Sequence, residues 1–556
     1  MKAMMQDYPL TLQHILWRVE KLFGRKEIVT KREDGVHRYT YGDLAPRVHK
    51  LAHALQRLGV APGDRVATLA WNNYRHMELY YAVPCMGAVL HTLNLRLSPQ
   101  QLQFVIEDAG DKVIVVDKSL LPILDKIAGR LPTVKRIIVM NDGGDLPAHG
   151  LGDLLDYETL IATEPDRFAW PRLDEWAAAA ICHTSGTTGN PKGVVYSHRS
   201  QYLHAMGCLQ ADTAGYMEKD VILPVVPMFH ANSWGVPYAA GLVGSALVLP
   251  DRWMGDGQTI LDLAEAEGVT VLAGVPTIWI NLLTTIEKTG RRLPKVRAVL
   301  CGGSAVPRSL MEGMDRVGLP ILQAWGMTET SPLATVAVPR SWHTSDDILA
   351  RRLSQGVAAP AVEIRVADLA SGDELPWDGV AFGEIQVRGP WVACGYLNDA
   401  DPGRMTADGW FRTGDVATID GDGYVGIVDR TKDVIKSGGE WISSVELENT
   451  IMAHPGVLEA AVIGLPHSRW SERPVAYIVP RDAQGGVTAE DITLFLRDKV
   501  ERWWLPDEVR FVGEIPKTSV GKFDKKRLRA AAAPLMEPAG VSAGAVTPSE
   551  AATTPA

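Results

Sequence analysis

Apolar positions Leu44, Val48, Leu51, Ala52, Leu55 and Leu58 recur three or four residues apart, the period of one helical face, and Gly59 follows as a stop. The pattern then changes to short apolar runs at 66–70, 88–93 and 112–116, separated by helix-length stretches. It continues with runs at 222–226, 246–249, 269–273 and 298–301. Uninterrupted apolar strands alternating with helices predict parallel sheets covered by helices, an α/β class. Past about residue 355 the runs shorten and glycines interrupt them. Segments 362–366, 383–388 and 425–428 predict a small antiparallel or barrel-like unit. After residue 429 a compact α+β domain is expected, with strands at 458–463, 475–479 and 509–512 and helices at 444–453 and 489–500. Residues 530–556 are mainly Ala, Pro, Gly, Ser and Thr, with little to bury, and predict a disordered tail.

At 556 residues the chain has room for about three or four domain-sized units. Its 46% apolar and 22% charged residues are ordinary for a soluble globular protein. A net charge of −10 argues against nucleic-acid binding, which needs a broad basic surface. The five cysteines (Cys85, Cys182, Cys208, Cys301, Cys394) are scattered and never form C-x-x-C, which predicts free thiols in a reducing compartment. Cys182 and Cys301 sit in apolar runs and are expected as small core residues. Residues 1–6 lack a basic start and an apolar core like those of a signal peptide, and no eighteen-residue apolar stretch predicts a membrane span. A cytoplasmic location is expected, with peripheral membrane contact left open.

The densest chemistry lies between the apolar runs 177–182 and 194–196: Thr184-Ser185-Gly186-Thr187-Thr188-Gly189-Asn190-Pro191-Lys192-Gly193. Its four hydroxyls, three glycines and one lysine are the parts of a phosphate grip. Glycines turn N–H groups towards the anion, hydroxyls add donors, and the lysine adds a mobile charge. The Walker spacing is absent, because Pro191 stands where the second glycine belongs. Gly421-Asp422-Gly423-Tyr424-Val425-Gly426 matches a dinucleotide pattern but leads into a strand-like run, so a hairpin turn is expected. A calcium loop is excluded there, because Tyr424 takes a ligand position and no matching glutamate follows.

Further motifs extend along the chain: Gly302-Gly303-Ser304-Ala305, Gln323-Ala324-Trp325-Gly326-Met327-Thr328-Glu329-Thr330, Trp410-Phe411-Arg412-Thr413-Gly414-Asp415, Asp429-Arg430-Thr431-Lys432-Asp433, and Pro516 through the basic run to Lys526. Taken singly each has a plain alternative. Gly302-Gly303 fits a tight strand-to-helix turn, Thr328 or Thr330 a helix cap, Asp415 a turn, the segment at Lys432 a charged linker, and the run around Lys522 a solvated surface. Together with the phosphate loop they closely resemble the adenylate-forming superfamily over nearly the whole chain. The resemblance is strongest to its acyl-CoA synthetase branch: bacterial medium- and long-chain fatty acyl-CoA ligases and methylmercaptopropionate-CoA ligases.

That resemblance implies ATP, Mg²⁺ and coenzyme A as cofactor and co-substrates. Thr184, Ser185, Gly186, Thr187, Thr188, Gly189 and Lys192 would hold phosphates. Thr184 and Glu329 would support the metal, and Thr328 would contact phosphate. Gly302, Gly303, Ser304, Ala324, Trp325, Gly326 and Met327 would border adenine and the reacting carboxyl, and Asp415 with Arg430 would grip the ribose. Lys522 would be the catalytic lysine. The implied organisation is an AMP-binding domain at 1–429, a hinge at 430–432 with Lys432 as pivot, and a mobile domain at 433–529. Rotation would replace Lys522 with Lys436, Gly438, Gly439, Glu440 and Trp441, which would border the path of the CoA thiol. A homodimer is implied by family habit.

The acyl pocket is expected at 227–235. Met228, Phe229 and Trp234 suit an apolar chain, Gly235 leaves room beside the carboxyl, and His230 is a wall, path or core residue. Trp234 and Met206 are candidates for pocket depth. No aspartate stands near this segment to bind an α-amino group, which argues against an amino-acid-activating module. The expected reaction is formation of acyl-adenylate and pyrophosphate, then thiolysis to acyl-CoA and AMP. Fatty, short thioether and aryl acids all remain open as substrates, and a luciferase-like oxygenase is a less favoured alternative.

Overall fold

The computed structural model describes residues 1, 3–184, 190–437, 440–482, 486–517 and 523–532. They divide into two compact units, one running from Met1 to Val434 and the other beginning at Ile435.

The first unit is built on two large sheets. In the nine-stranded sheet, strands Ile321–Gly326, Ala298–Cys301, Val271–Gly274, Val221–Pro224, Ala246–Leu249 and Glu27–Arg32 lie side by side and parallel. Antiparallel strands close its edges: Leu333–Val336 and Val357–Ala358 on one side, Gly35–Thr40 on the other. The seven-stranded sheet runs Leu154–Asp156, Arg136–Met140, Asp111–Asp117, Arg65–Leu69, Val89–Thr92, Ala178–His183 and Gly193–Ser197, parallel except for the last pair. The expected apolar runs become these strands because covered parallel strands have no polar face: Val89–Thr92 and Val271–Gly274 are buried at every position.

Helices carry the core between and outside the sheets. Tyr41–Arg57 begins with a capping box, in which the Thr40 hydroxyl accepts from the Asp43 N–H and the Asp43 carboxylate accepts from the Thr40 N–H. Leu44, Val48, Leu51, Ala52 and Leu55 are buried, and Gly59 turns the chain at φ +86°. That face joins helices Leu12–Lys21, Tyr74–Cys85 and Val236–Val243 in one core that also takes residues of both sheets. Helices Gly257–Ala266, Pro276–Thr289 and Arg308–Arg316 cover the other side of the nine-stranded sheet, and Pro99–Ala109 that of the seven-stranded one.

The change of texture near residue 355 marks a four-stranded antiparallel sheet, in the order Glu363–Ala367, Phe382–Arg388, Phe411–Ile419, Val425–Arg430. The dinucleotide-like segment is the turn between its last two strands. Asp420 Oδ1 accepts from the N–H groups of Asp422 and Tyr424, and Gly423 sits at φ +86°.

The second unit is a mixed sheet with helices Ser444–Met452, Ala489–Leu496 and Lys525–Ala532. Strands Val457–His467 and Ser471–Pro480 pair antiparallel, and Glu508–Phe511 adds in parallel. The second helix stops at Leu496 instead of the expected 500. The last helix buries Leu528 and Ala532, so ordered structure passes the expected start of the tail at 530. Residues 533–556 of that tail lie outside the described residues.

Candidate active site

Residues 184–193 connect two antiparallel strands, Ala178–His183 and Gly193–Ser197. A Walker loop opens a helix instead, so the structure agrees with the spacing argument. The Thr184 N–H donates to the Lys192 carbonyl at 2.8 Å, closing the base of the loop, and the Lys192 N–H approaches Thr184 Oγ1 at 3.4 Å. Ser185, Gly186, Thr187, Thr188 and Gly189 lie outside the described residues, as do Gly438, Gly439 and Lys522. Gly193 is wedged: a Cβ there would stand 3.0 Å from Leu397 Cβ and 3.1 Å from His183 Nε2. Cys182 is a core residue as expected, with its thiol pushed up to about 11 by burial and its sulfur accepting from the Ala231 N–H.

The facing wall comes from the ends of two central strands of the larger sheet. Gly302 follows Ala298–Cys301, and a Cβ on it would meet the Ala324 carbonyl at 3.1 Å and the Trp234 ring at 3.3 Å. Glycine here allows that close packing. Gly303 takes φ +86°. A Cβ on Gly326 would overlap the Pro332 carbonyl oxygen, so only glycine fits. No capped helix follows this strand. Thr328–Thr330 is a single 3₁₀ turn, closed by the Thr330 hydroxyl accepting from the Met327 N–H at 2.9 Å. The Tyr196 hydroxyl donates to the Thr328 carbonyl at 2.7 Å, so a strand of the smaller sheet fixes this turn of the larger one.

Trp325, Asp415 and Arg430, spread over 105 positions of sequence, meet in one cluster. Trp325 Nε1 donates to Asp415 Oδ2 at 3.0 Å, and Arg430 Nε lies 3.5 Å from Asp415 Oδ1. The register of the last two strands pairs Asp415 with Arg430 directly. Arg430 is therefore a strand residue, and the boundary between the units falls between Val434 and Ile435, so the first unit ends two residues past Lys432.

Glu329 is buried, and burial pushes its carboxyl above the usual range. The Tyr396 hydroxyl donates to its Oε1 at 2.5 Å. A hard divalent cation beside a buried carboxylate keeps it ionised, and Mg²⁺ prefers oxygen donors such as Glu329 and the Thr184 hydroxyl, so these residues fit the metal.

The segment expected as the acyl pocket has an unusual backbone. Ala231, Asn232, Ser233 and Trp234 take φ of +42°, +50°, +52° and +56°, a left-handed turn made without glycine until Gly235 at +73°. Such strain persists only where the surroundings hold it. Here the Cys182 sulfur takes the Ala231 N–H at 3.3 Å, the Ser233 hydroxyl donates to the Val226 carbonyl at 3.0 Å, and Tyr80 donates to the Met228 carbonyl. Gly235 makes room for His204, whose Nδ1 would lie 2.7 Å from an added Cβ. That packing and the positive φ are what the structure shows this glycine to accommodate. The Trp234 ring lies against Gly302, whereas Met206 is 42% exposed on its helix.

In the second unit Lys436 and Trp441 face each other across a two-stranded ladder, with the ammonium 5.2 Å from the ring centroid. Glu440 stands on the same strand as Trp441. Sequence reasoning missed Tyr396, Asp401, Arg404, Tyr196 and His204. Tyr396 and Asp401 sit in Gly395-Tyr396-Leu397-Asn398-Asp399-Ala400-Asp401, where two aspartates and an asparagine look like an ordinary turn.

Comparison with known proteins gives the family. The profile of the AMP-binding enzyme family matches residues 16–397, and that of the AMP-binding enzyme C-terminal domain matches 446–522. The chain belongs to the AMP-binding enzyme family, in its acyl-CoA ligase branch. It is 46% identical to a long-chain-fatty-acid–CoA ligase of Thermus thermophilus over 94% of this chain and 96% of that protein. It is 42% identical to a 3-methylmercaptopropionyl-CoA ligase of Ruegeria lacuscaerulensis over 95% of this chain and 98% of that one. The solved structure of an anthranilate CoA ligase in complex with anthranoyl-AMP superposes with a TM-score of 0.84 at 25% identity, covering 96% of this chain and 99% of that one. Among the described residues no helix is long and apolar enough to cross a membrane.

Proposed function

We propose that this enzyme converts a carboxylic acid, fatty or of short to medium chain, into its CoA thioester through an acyl-adenylate, releasing pyrophosphate and AMP. The observation that carries this reading is the convergence in one unit of Lys192 from the phosphate loop, buried Glu329, and the Trp325–Asp415–Arg430 cluster. Lys192 and the loop hydroxyls bind the β- and γ-phosphates. Asp415 accepts the ribose hydroxyls, held in place by Trp325 Nε1 and the Arg430 guanidinium. The acid lies along Trp234, with its carboxylate directed at the α-phosphate beside Gly302 and Gly303. Mg²⁺ at Glu329 and Thr184, when bound, supplies neutralising charge on the polyphosphate.

Lys522 bridges carboxylate and α-phosphate in adenylation, offsetting the repulsion of two anions. Lys432 is the pivot that exchanges it for the ladder of Lys436 and Trp441, with Gly438, Gly439 and Glu440, along the pantetheine path. Five free cysteines suit a cytoplasmic enzyme.

The test is pyrophosphate and AMP release from ATP and Mg²⁺ across straight-chain, thioether and aryl acids, with and without CoA. CoA-dependent turnover peaking at one acid size is the expected result, and pyrophosphate release indifferent to CoA would overturn the ligase assignment. Lys522→Ala is expected to lose most adenylation while retaining partial thiolysis of supplied acyl-adenylate. Wild-type adenylation by that variant would remove Lys522 from the mechanism.

A further inference from the structure

One short segment, residues 396–404, reaches the phosphate loop and Glu329 together. Tyr396 donates to Glu329 Oε1 at 2.5 Å, while its ring centroid lies 5.2 Å from Lys192 Nζ. Leu397 packs beside Gly193. Asn398 Nδ2 donates to Asp108 Oδ1 at 2.9 Å, and Asp108 Oδ2 lies 3.1 Å from His183 Nε2, at the residue before Thr184. Asn398 and Asp399 hold left-handed φ values of +56° and +54° without being glycines. Those contacts fix the segment against the loop, and strain of this kind collects at functional sites.

Within the segment Asp401 takes the charge of the loop lysine. Lys192 Nζ lies 2.5 Å from Asp401 Oδ2, with side chains 20% and 29% exposed. Arg404 Nε donates to the same oxygen at 2.9 Å, and Arg404 Nη1 also donates to the Arg412 carbonyl. We propose that Asp401 is a built-in substitute for phosphate: it holds Lys192 in the nucleotide-free enzyme, hands it to the polyphosphate on binding, and takes it back as pyrophosphate leaves. This deepens the assignment of residues 184–193 as the phosphate loop and rests on it.

Charge arithmetic favours the handover. A half-buried carboxylate left alone is costly, but Asp401 keeps Arg404 when Lys192 departs. Lys192 in turn exchanges one negative charge for a polyphosphate carrying several, so its transfer is downhill. The competition still lowers affinity, because the lysine must first leave an existing partner. A merely structural pair predicts the reverse, since removing Asp401 would then leave Lys192 unplaced and weaken phosphate binding.

Calorimetric titration of Mg²⁺–pyrophosphate into the full-length enzyme separates the two. Asp401→Asn is expected to bind about two- to fivefold more tightly than wild type, the worth of one partly exposed ion pair. Asp401→Ser, which removes the same charge with a smaller side chain, should give a similar gain. Lys192→Met should bind more weakly than wild type, and adding Asp401→Asn to it should restore nothing. Unchanged or weaker binding by both Asp401 variants overturns the proposal while leaving the phosphate loop intact. Equal binding by wild type and Lys192→Met would instead remove Lys192 from phosphate recognition, and the proposal with it.

Discussion

Gly235 and Glu329 show how single positions set the site. Gly235 combines φ +73° with a neighbour, His204 Nδ1, only 2.7 Å from where a Cβ would stand. Gly235→Ala adds backbone strain and a clash at one atom, a cost of about 1–3 kcal/mol. The same change disturbs the turn that carries Trp234. A lower unfolding temperature and a raised KM for the acid, with a smaller change in KM for ATP, are the expected outcomes of thermal unfolding and steady-state assays. Glu329 is different, because its carboxylate is buried with Tyr396 and its substitution bears on chemistry more than on packing. Glu329→Gln keeps the shape and an acceptor for Tyr396 but removes the charge that the proposed function assigns to the metal. A fall in adenylation of about 10²–10³-fold with little change in unfolding temperature is expected.

At the scale of elements, the strand pair Phe411–Ile419 and Val425–Arg430 turns two distant motifs into one grip, because its register sets Asp415 opposite Arg430. Asp415→Asn keeps an oxygen for Trp325 Nε1 but loses the ion pair and, on the proposed function, the anionic acceptor for ribose hydroxyls. The expected result is a KM for ATP raised about tenfold or more, with that for the acid nearly unchanged, measured by pyrophosphate release. The parallel strands were legible in the sequence because burial on both faces writes them as uninterrupted apolar runs, as at 246–249 and 298–301. Glu27–Arg32 and Gly35–Thr40 were not, because this edge hairpin is half exposed and mixes Lys, Arg, His and Glu among its apolar residues. Glu329, Asp415 and Lys192 stood out in the sequence because they lie in motifs that resemble those of a known family, and the structure joins each to partners far away in the chain. Tyr396 and Asp401 act only through a fold that carries them back to residues 329 and 192, and no local spacing encodes that return. The left-handed turn at 231–234 was hidden for a related reason: Ala, Asn, Ser and Trp there have no intrinsic preference for it, and the surrounding hydrogen bonds impose it.

Across the whole molecule, buried histidines make stability depend on pH before most carboxylates titrate. Burial pushes His76, His183 and His198 down to about 4 and His204 down to about 3. Each is neutral in the folded chain where its unfolded counterpart, near 6.5, already binds a proton. Their contribution is therefore complete above about pH 6.5 and declines as pH falls towards 4. Glu158 acts lower on the scale. Burial opposes its ionisation, but Arg47 and Arg75 outweigh that and hold it at about 2, so its contribution is lost only below the ordinary carboxylate range near 4.5. Asp251 works in the opposite sense, raised to about 6 by burial, and it offsets part of the histidine slope in the same window. A comparison at one residue isolates the effect from that background. His204 Nε2 accepts the Leu333 N–H at 3.2 Å, an interaction that a glutamine oxygen also provides, and glutamine does not titrate. The stability gap between wild type and His204→Gln should narrow by about 1.4 kcal/mol for each pH unit between 6.5 and 4. Denaturant unfolding at pH 6.5, 5.5 and 4.5 measures that gap. A gap independent of pH would mean that His204 binds its proton equally in the folded and unfolded chains, and that burial between Gly235 and Leu333 does not keep it neutral.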